Sequence, residues 1–589
     1  MRLKNFLIII LSLIIVLSAI CAIPFTVFAA TYSGNCGENV IWSFNTSSRI
    51  LTISGSGEMC DYYGTDHAPW LRMYPEVESI IIEDGVTSIG NYAFYDLYML
   101  KSVIIPDSVT CIGDWAFESC DRLNSVTIGN SVTRIGVKAF ANCRCLSSAA
   151  ITDSVTEICK YAFDNCDSIT TVTIPDSVVS IGEWAFGGCN SLVDVSIGNS
   201  LADISPDAFC RSTAIENISV DKGNTVYHSD GNCIIETASK TLVTGCKNST
   251  IPTDGSVISI GEKAFYQCTS LESITIPDSV TSIADRAFGQ CSALSSIIIP
   301  NSVTSIGNWS FSGCSCLTNI TIPDSLTYIG EGSFSGCSEL KSLFIPDSVT
   351  YIGKSVFQDC TSLTSVVIGN SVTSFLDYTF YGCEELKSIV IGSKVEFISE
   401  SAFAACRGLE SITVEKENTV YYSLGNCIIE KLSKTLVLGC KNSLIPTDGS
   451  VTSIGKSAFL FCKFKSIILP NSIAKIDSFA FSGCNELADV YYTGTEQQKA
   501  QLVIENDQGL YNYLLNAKWH YNYIPHTFGD INGDEEVDNK DLTRLFQYLS
   551  NWDVEISDGA LDVNGDESVD NKDLTRLFQY LSNWDVEIF

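Results

Sequence analysis

The chain has 589 residues, of which 45% are apolar, 35 are Lys or Arg and 68 are Asp or Glu, which gives a formal net charge of −33. This acidity argues against nucleic acid and anionic membranes as partners, because like charges repel. The apolar fraction is sufficient for a long hydrophobic core.

The N-terminus has the pattern of a secretory signal peptide over residues 1–29. Arg2 and Lys4 precede an apolar run from Phe6 to Ile20, and small residues near Ala29 offer a cleavage site. An uncleaved membrane anchor is the alternative, because the run is long for a signal peptide. The sequence therefore predicts a secreted, extracellular protein.

Residues 31–79 differ from everything that follows and are predicted to form an N-terminal capping region. Val40–Phe44 and Ile50–Ile53 alternate in polarity around the turn Asn45–Arg49, which indicates a β-hairpin. Cys36 and Cys60 could bridge this region, but nothing in the sequence decides whether they do.

Residues 80–494 repeat one unit, for which Leu271–Ala293 serves as an example. An Ala-Phe pair or its variant marks each unit, mostly at steps of 23 residues, and a period of that size predicts a solenoid. The marker residues are Phe94, Phe117, Phe140, Phe163, Phe186, Phe209, Phe265, Phe288, Phe311, Phe334, Phe357, Phe380, Phe403, Phe459 and Phe481.

Within the unit, Ile274 and Ile276 have strand spacing, and Pro277 ends the strand because it lacks a backbone donor. A second short extended piece ends at Ile283, and Asp285–Gln290 can form one helical or 3₁₀ turn. This pattern resembles the BspA-type leucine-rich repeat. The resemblance implies a leucine-rich-repeat solenoid of short parallel strands and helical or 3₁₀ turns.

Cysteines recur three residues after the marker Phe, and we expect them to stack inside the solenoid as small buried hydrophobes. Their parallel, inward direction favours free thiols over disulfides, although the spacing between coils would allow bridging. The closely spaced pairs Cys143/Cys145 and Cys314/Cys316 are a weak metal signal. The stacked set is Cys120, Cys143, Cys166, Cys189, Cys268, Cys291, Cys314, Cys337, Cys360, Cys383, Cys406, Cys462 and Cys484.

Two nearly identical inserts interrupt the repeat near 222–254 and 416–448. Cys233-Ile-Ile and Thr241-Leu-Val, like their counterparts in the second insert, have the pattern of a hairpin. An insert often lies on a binding face, but an enlarged coil is the favoured interpretation.

Two solenoid surfaces are candidates for binding. The outward side of the first strand is predicted to be small and uncharged, with Ser125/Thr127, Thr171/Thr173, Ser273/Thr275, Asn319/Thr321 and Ser411/Thr413. Aromatic residues precede the marker Phe by two positions and would either bind a sugar or a protein, or pack between adjacent turns. They are Tyr92, Trp115, Tyr161, Trp184, Trp309 and Tyr378.

Residues 495–528 are predicted to be a C-terminal cap and linker. Val490–Gly494 is expected to be the last strand, and Glu496–Tyr521 to be helical. Ile524–Phe528 is a short linker without Gly or Ser, so we expect it to restrict interdomain motion.

The composition changes at Gly529, since residues 529–589 contain 16 Asp or Glu and 4 Lys or Arg, a net charge of −12. Oxygen ligands occupy positions 1, 3, 5, 7, 9 and 12 of two loops, and hard oxygen ligands at this spacing suit Ca²⁺ better than Mg²⁺. Two calcium ions are predicted. The ligands are Asp530, Asn532, Asp534, Glu536 (backbone), Asp538 and Asp541, then Asp562, Asn564, Asp566, Ser568 (backbone), Asp570 and Asp573.

The loops differ from an EF-hand, because position 12 is Asp, position 6 is Glu, and each loop has only an exiting helix. Leu542, Leu545, Phe546 and Leu549 are predicted to share the apolar face of the first helix. The duplicated pattern over 529–589 resembles a type I dockerin, a small all-α calcium-binding domain. Glu at position 6 departs from the commonest dockerin pattern.

Dockerins bind cohesin modules of scaffold proteins (scaffoldins) in the fibre-degrading complexes of anaerobic bacteria, so the resemblance implies a calcium-dependent cohesin partner. The identity of residues 537–556 with 569–588 suggests two alternative binding orientations. The implied recognition residues are Asn539, Lys540, Arg544, Gln547 and Asn551, and Asn571, Lys572, Arg576, Gln579 and Asn583.

We therefore expect a secreted, non-catalytic recognition protein whose dockerin attaches it to a cell-surface complex while the solenoid binds a protein or glycan. The alternatives are an adhesin for host or neighbouring cells, which the repeats also suggest, and a polysaccharide-degrading enzyme with an unrecognised site. Against an enzyme, no nucleophile–His–acid set is evident. The four histidines, His67, His228, His520 and His526, lie in the caps, an insert and the linker.

Overall fold

The computed structural model describes residues 30–63, 67–73, 76–149, 151–505, 513–523, 537–550 and 569–581, together with Ile531, Leu561 and Val563. The predicted signal peptide and linker lie outside these residues. The chain forms two compact units, Met1–Leu386 and Lys387–Phe589. Among the described residues, none of the helices has the length and apolar character needed to cross a bilayer.

Most coils of the first unit contribute strands to two parallel ladders, as the periodicity predicts. In the long ladder, Ser296 is in register with Asn319, and in the short ladder, Ser282 is in register with Ser305. Both pairs are 23 residues apart, so every coil lies directly on the previous one. The fold is therefore a parallel solenoid in which neighbouring coils bury each other's apolar residues.

The long ladder of the first unit begins with an antiparallel hairpin and continues with parallel strands. Its strands are Thr31–Asn35, Val40–Asn45, Ile50–Gly55, Ser79–Ile82, Ser102–Ile104, Ser125–Thr127, Thr171–Ile174, Asp194–Ile197, Asn217–Val220, Ser296–Ile298, Asn319–Thr321, Ser342–Ile345 and Ser365–Ile368. The predicted hairpin at 40–55 is thus present.

The short ladder begins at Gly57–Glu58 and Val86–Ile89, and most later strands have two residues. They are Cys111–Ile112, Arg134–Ile135, Glu157–Ile158, Ser180–Ile181, Asp203–Ile204, Ser259–Ile260, Ser282–Ile283, Ser305–Ile306, Tyr328–Ile329, Tyr351–Ile352 and Ser374–Phe375. A 3₁₀ helix, Pro69–Met73, precedes the repeats.

The segment around each marker Phe supplies a third set of bonds between coils. The backbone N–H groups of Arg286, Phe288 and Gln290 donate to carbonyls of the next coil at 2.8, 2.7 and 2.6 Å. Intervening N–H groups close three-residue turns, as from Gly289 to Arg286 at 2.9 Å. Arg286 and Gln290 have φ values of 55° and 61°. The expected 3₁₀-like turn is thus present, but residues in the left-handed conformation alternate with the others along it. Every second backbone N–H therefore points to the next coil.

The marker Phe rings form buried stacks, one from Phe94 to Phe209 and one from Phe265 to Phe380. Phe117 and Phe140 are stacked with centroids 5.2 Å apart, and Phe140 and Phe163 with centroids 5.4 Å apart. Trp70 stacks on Phe94 at 5.4 Å, and its indole N–H donates to the Ala93 carbonyl at 2.9 Å. Trp70 thereby closes the N-terminal end of the first stack.

Every described cysteine is a free thiol, and most of the stacked set are buried. Most buried thiols of the set donate to the Phe carbonyl of the previous coil, as Cys143 does to Phe117 at 3.2 Å. At one position serine takes this place, and the Ser212 hydroxyl donates to the Phe186 carbonyl at 2.6 Å. Burial raises the pKa of the Cys189 thiol from its ordinary value of 9.0 to about 12. These thiols therefore serve as protonated hydrogen-bond donors and are poor nucleophiles.

This role predicts the effect of changing one thiol. Cys143→Ser keeps a donor and should change the free energy of unfolding by less than about 1 kcal/mol, whereas Cys143→Ala loses the donor and buried volume and should cost about 1–3 kcal/mol. Urea unfolding measures both, with exposed Cys145→Ser as the neutral control. A larger loss for Ser than for Ala would contradict the donor role.

The first insert is an enlarged coil. Its strands Tyr227–Asp230, Cys233–Glu236 and Thr241–Thr244 are antiparallel, and the last of them pairs in parallel with Ser259–Ile260 to restart the short ladder. The second and third strands were predicted, but Tyr227–Asp230 was not. Asn224 holds the loop through bonds from its amide group to the Gly198 and Leu201 carbonyls at 3.2 and 3.0 Å. The geometry agrees with the structural interpretation of the inserts.

The solenoid part of the second unit has the same two kinds of ladder, with fewer strands. Its long-ladder strands are Ser388–Ile391, Ser411–Val414, Ser466–Leu469, Asp489–Tyr492 and Lys518–His520; its other strands are Phe397–Ile398, Tyr421–Leu424, Cys427–Glu430, Thr435–Leu438, Ser453–Ile454, Lys475–Ile476 and Val503–Ile504. Its helices are α1 (Glu496–Lys499), α2 (Tyr513–Asn516), α3 (Asn539–Leu549) and α4 (Asn571–Leu581).

The prediction of a helical closing cap over Glu496–Tyr521 is wrong for most of its described residues. Val503–Ile504 and Lys518–His520 are strands that extend the short and long ladders. Asp489–Tyr492 is therefore not the last strand of its ladder. Pairing with an existing ladder outweighs the helical propensity of this segment.

Candidate partner-binding surfaces

Helices α3 and α4 begin at the same kind of carboxylate cap. The Asp538 side chain accepts from the Lys540 N–H at 2.7 Å, and the Asp541 side chain accepts from the Asp538 N–H at 2.7 Å. Asp570 and Asp573 make the equivalent bonds at 2.6 and 2.8 Å. These reciprocal bonds fix the last residues of the two predicted calcium loops onto the first turn of each helix.

The carboxylates of Asp541 and Asp573 are fully buried. The second oxygen of Asp573 accepts from the Val563 N–H at 2.8 Å, so this side chain joins α4 to its own loop. A buried carboxylate is costly without hydrogen bonds and positive charge, which fits a cation in the loop. Type I dockerins are generally calcium-binding.

The structure tests few of the twelve predicted ligands. Asp538, Asp541, Asp570 and Asp573 are described, and the other eight lie outside the described residues. In the described part of the chain, no three His, Cys, Asp or Glu side chains converge as a metal site requires. The ligand set remains a prediction for those loops.

Four of the implied recognition residues lie together on α4. Asn571, Lys572, Arg576 and Gln579 line one open cleft of about 450 Å³, and Thr575 completes it. The sequence of α3 is identical, so Asn539, Lys540, Arg544 and Gln547 occupy the same helical positions. Asn551 and Asn583 lie outside the described residues. Thr575 was missed, although its i+4 spacing from Asn571 indicates the shared face.

A second groove runs between the two helices. It has a volume of about 440 Å³ and is lined by Leu542, Thr543 and Phe546 of α3 with Leu574, Thr575 and Phe578 of α4. Phe546 is 54% exposed and Phe578 52% exposed. Phe546 therefore lies at the exposed edge of the predicted apolar face of α3 and not in the core. The core is formed by Leu545 and Leu577 with Ile531 and Val563.

The outward side of the long ladder is less uniform than predicted. Thr127, Thr173 and Thr321 are exposed as expected. Large apolar side chains occupy the same outward position in other coils, and Ile298, Phe344 and Val367 are 73%, 57% and 59% exposed. These apolar residues were missed because only the coils with Ser, Thr or Asn at the outward positions were considered. Comparing the residue before the final Ile in every coil would have revealed them.

The aromatic residues before the marker Phe pack mainly against each other. Tyr92 and Trp115 stack at 5.0 Å with ring planes 5° apart, and Tyr161 and Trp184 stack at 6.2 Å. The Lys138 ammonium lies 5.7 Å from the Tyr161 ring. Because sugars stack on open ring faces, these covered faces favour packing between adjacent turns over sugar binding.

The described histidines do not assemble a hydrolytic triad. His228 Nδ1 lies 2.9 Å from the Thr237 hydroxyl, and His520 Nε2 lies 2.8 Å from Asp489. Within the described residues, the structure records no carboxylate partner for His228 and no hydroxyl partner for His520. His526 lies outside the described residues.

Comparisons with known proteins agree with both parts of the chain. The model of the BspA type leucine rich repeat region matches residues 73–173, 133–254, 236–360, 311–429 and 430–510, and the model of the dockerin type I domain matches residues 528–582. No curated protein matches the chain. These repeat and dockerin families are non-catalytic.

Comparison with solved structures finds leucine-rich-repeat proteins, and the first of the following two supports the solenoid fold. One from Eubacterium ventriosum is 23% identical, with a TM-score of 0.51, over 66% of this chain and 97% of that chain. One from Bacteroides ovatus is 24% identical, with a TM-score of 0.37, over 83% of this chain and 99% of that chain.

Proposed function

The chain belongs to the BspA-type leucine-rich-repeat family and carries a C-terminal dockerin type I domain, and from this premise we propose that it is a secreted, non-catalytic recognition protein. The dockerin attaches it to a scaffoldin cohesin in a calcium-dependent way, and the solenoid binds a protein or glycan surface. Both families are typically extracellular or cell-surface. The single observation that carries the proposal is that one chain combines a long leucine-rich-repeat solenoid with a C-terminal dockerin domain.

The attachment face is supported by the geometry of α4. Lys572 and Arg576 bring two positive charges to the cleft beside the amides of Asn571 and Gln579. In a domain with a net charge of −12, these cations are the groups that an acidic cohesin surface would pair with, and Arg is often a dominant contact at interfaces. Two calcium ions, held by the loop residues before α3 and α4, would fix the helices in place.

Two equal attachment faces lead to a specific prediction. Reversing Lys540 and Arg544 to Glu, or Lys572 and Arg576 to Glu, should each leave cohesin affinity within about twofold, because the other face remains. Reversing all four should lower the affinity by more than roughly 100-fold. Titration calorimetry of the full-length protein with cohesin at saturating calcium measures the three variants.

The matched control reverses Lys222 and Lys416, which are exposed in the solenoid, and should not change cohesin affinity. A circular dichroism spectrum with calcium checks that α3 and α4 remain folded in each variant. If one half-variant abolished binding by itself, the two-orientation proposal would fail while calcium-dependent attachment would stand.

A further inference from the structure

The long ladder of the first unit is divided into several separate sheets, and one of the divisions lies at the coil that contains Ala149. Strand Ser125–Thr127 is the last strand of one sheet, and strand Thr171–Ile174 is the first strand of the next. Thr171–Ile174 pairs with the strand of the following coil, Asp194–Ile197. The described residues of the intervening coil form no long-ladder strand. One edge of Thr171–Ile174 therefore faces a coil that does not pair with it.

A small core residue accompanies this division. Ala149 occupies the inward position that Val103, Val172 and Val195 hold in other coils. The Ala149 side chain occupies less volume than the valines at the same position of the other coils. A cleft of about 520 Å³ lies beside it. That volume is within the roughly 300–1,000 Å³ of ligand sites.

The lining of the cleft combines apolar and polar surfaces. Ala149, Ile151 and Pro175 supply apolar contact area. Around them are four hydroxyl side chains and three carboxylates: Ser148, Thr171, Thr173, Ser196, Asp153, Asp176 and Asp221. The described lining contains no Lys, Arg or His, so an anionic ligand would meet only like charge.

We propose that this cleft binds a neutral oligosaccharide. The hydroxyls of a sugar donate to carboxylates and exchange hydrogen bonds with Thr and Ser, while the C–H face of a sugar ring covers apolar surface. This proposal rests on the proposed function in one respect, that the solenoid is the ligand-binding part of the chain. It adds the chemical class of the ligand.

The carboxylates are arranged less well for a chelated cation. Asp176 accepts from the Asn199 N–H at 2.8 Å, and Asp221 accepts from the Gly223 N–H at 2.7 Å. Each has therefore committed one oxygen to its own turn, whereas calcium requires six to eight oxygen ligands. The remaining oxygens come from separate coils and suit single hydrogen bonds to different hydroxyls of an extended ligand.

The test titrates full-length protein with cellotetraose, xylotetraose, mannotetraose and galactotetraose, followed by saturation-transfer NMR and calorimetry. At least one should bind, and the double variant Asp153→Asn/Thr173→Val should lower its affinity roughly tenfold. Thr127→Val, at the same outward position two coils earlier and outside the cleft lining, is the matched control and should leave the affinity unchanged.

A second variant separates binding from folding. Ala149→Val restores the residue type of the neighbouring coils and should fill the floor of the cleft, removing binding without lowering the unfolding midpoint. The proposal is overturned if no tetrasaccharide binds, if both variants bind like the parent, or if tetralysine binds in place of the sugars. Cohesin binding is measured on the same samples, so that loss of attachment and loss of sugar binding are distinguished.

Discussion

Removing calcium with excess EGTA is expected to lower the affinity of the full-length protein for cohesin by about 10³-fold or more, roughly 4 kcal/mol. The reason is the small core of the C-terminal domain. Among its described residues, Ile531, Leu545, Val563 and Leu577 are the fully buried apolar side chains. The last cysteine of the chain is Cys484, so no disulfide can compensate.

A domain with so small a core depends on an additional source of folding free energy, and metal binding supplies it when the site forms only in the folded state. Without the ion, the clustered carboxylates of each loop repel one another. The buried Asp541 and Asp573 then lose the charge that offsets their desolvation. The first turns of α3 and α4, which carry the proposed attachment face, would then no longer be held in place by the loops.

The measurement is calorimetry with cohesin at saturating calcium and in excess EGTA, with Mg²⁺ replacement as a further condition. The internal control is the solenoid, whose unfolding transition should not move, because its ladders and Phe stacks involve no metal ligand in the described residues. Undiminished cohesin binding in EGTA would refute the calcium-dependent attachment.

The solenoid could be predicted from sequence because each coil repeats the same buried set. The marker Phe, the strand Ile residues and the stacked Cys all recur at 23 residues, and stacking of neighbours is the only arrangement that buries them all. The bond from the Cys143 thiol to the Phe117 carbonyl was not predicted. Residue spacing places a thiol inside but does not reveal which carbonyl it faces.

The errors arise where a local pattern competes with tertiary contacts. Lys518–His520 is a strand because Asp489–Tyr492 offers it a partner, and that partner is remote in sequence. The helix pattern also does not say which apolar residue of α3 is buried, and Leu545 is the one that lies in the core. Phe546 then lies in the groove beside Phe578.

The candidate sites were predictable to different degrees. The implied recognition residues on α4 lie around one cleft because an i, i+1, i+5, i+8 pattern shares a helix face. The cleft beside Ala149 could not be predicted in this way, because a single Ala in a repeat is an ordinary substitution in sequence. Whether that Ala leaves a cleft depends on the pairing of the strands beside it. Among the described residues, Thr171–Ile174 has no ladder partner on the side of Ala149.

Phe140→Ala is expected to destabilise the solenoid by about 3–5 kcal/mol. Phe140 is fully buried between Phe117 and Phe163, with which it stacks at 5.2 and 5.4 Å. Truncation therefore leaves a cavity and removes two stacking contacts, not one. In a solenoid each coil is held only by its neighbours, so the change weakens both interfaces of one coil and should also reduce unfolding cooperativity.

Urea unfolding of the full-length protein measures this prediction, with the midpoint reporting stability and the slope reporting cooperativity. Phe344→Ala is the matched control, since this Phe is 57% exposed on the long ladder and should change stability by about 0.5 kcal/mol or less. Equal losses for the two variants would show that the Phe stack does not carry the stability of the fold. A large loss confined to Phe140 would establish that coil stacking, which presents the solenoid surfaces described above, depends on this stack.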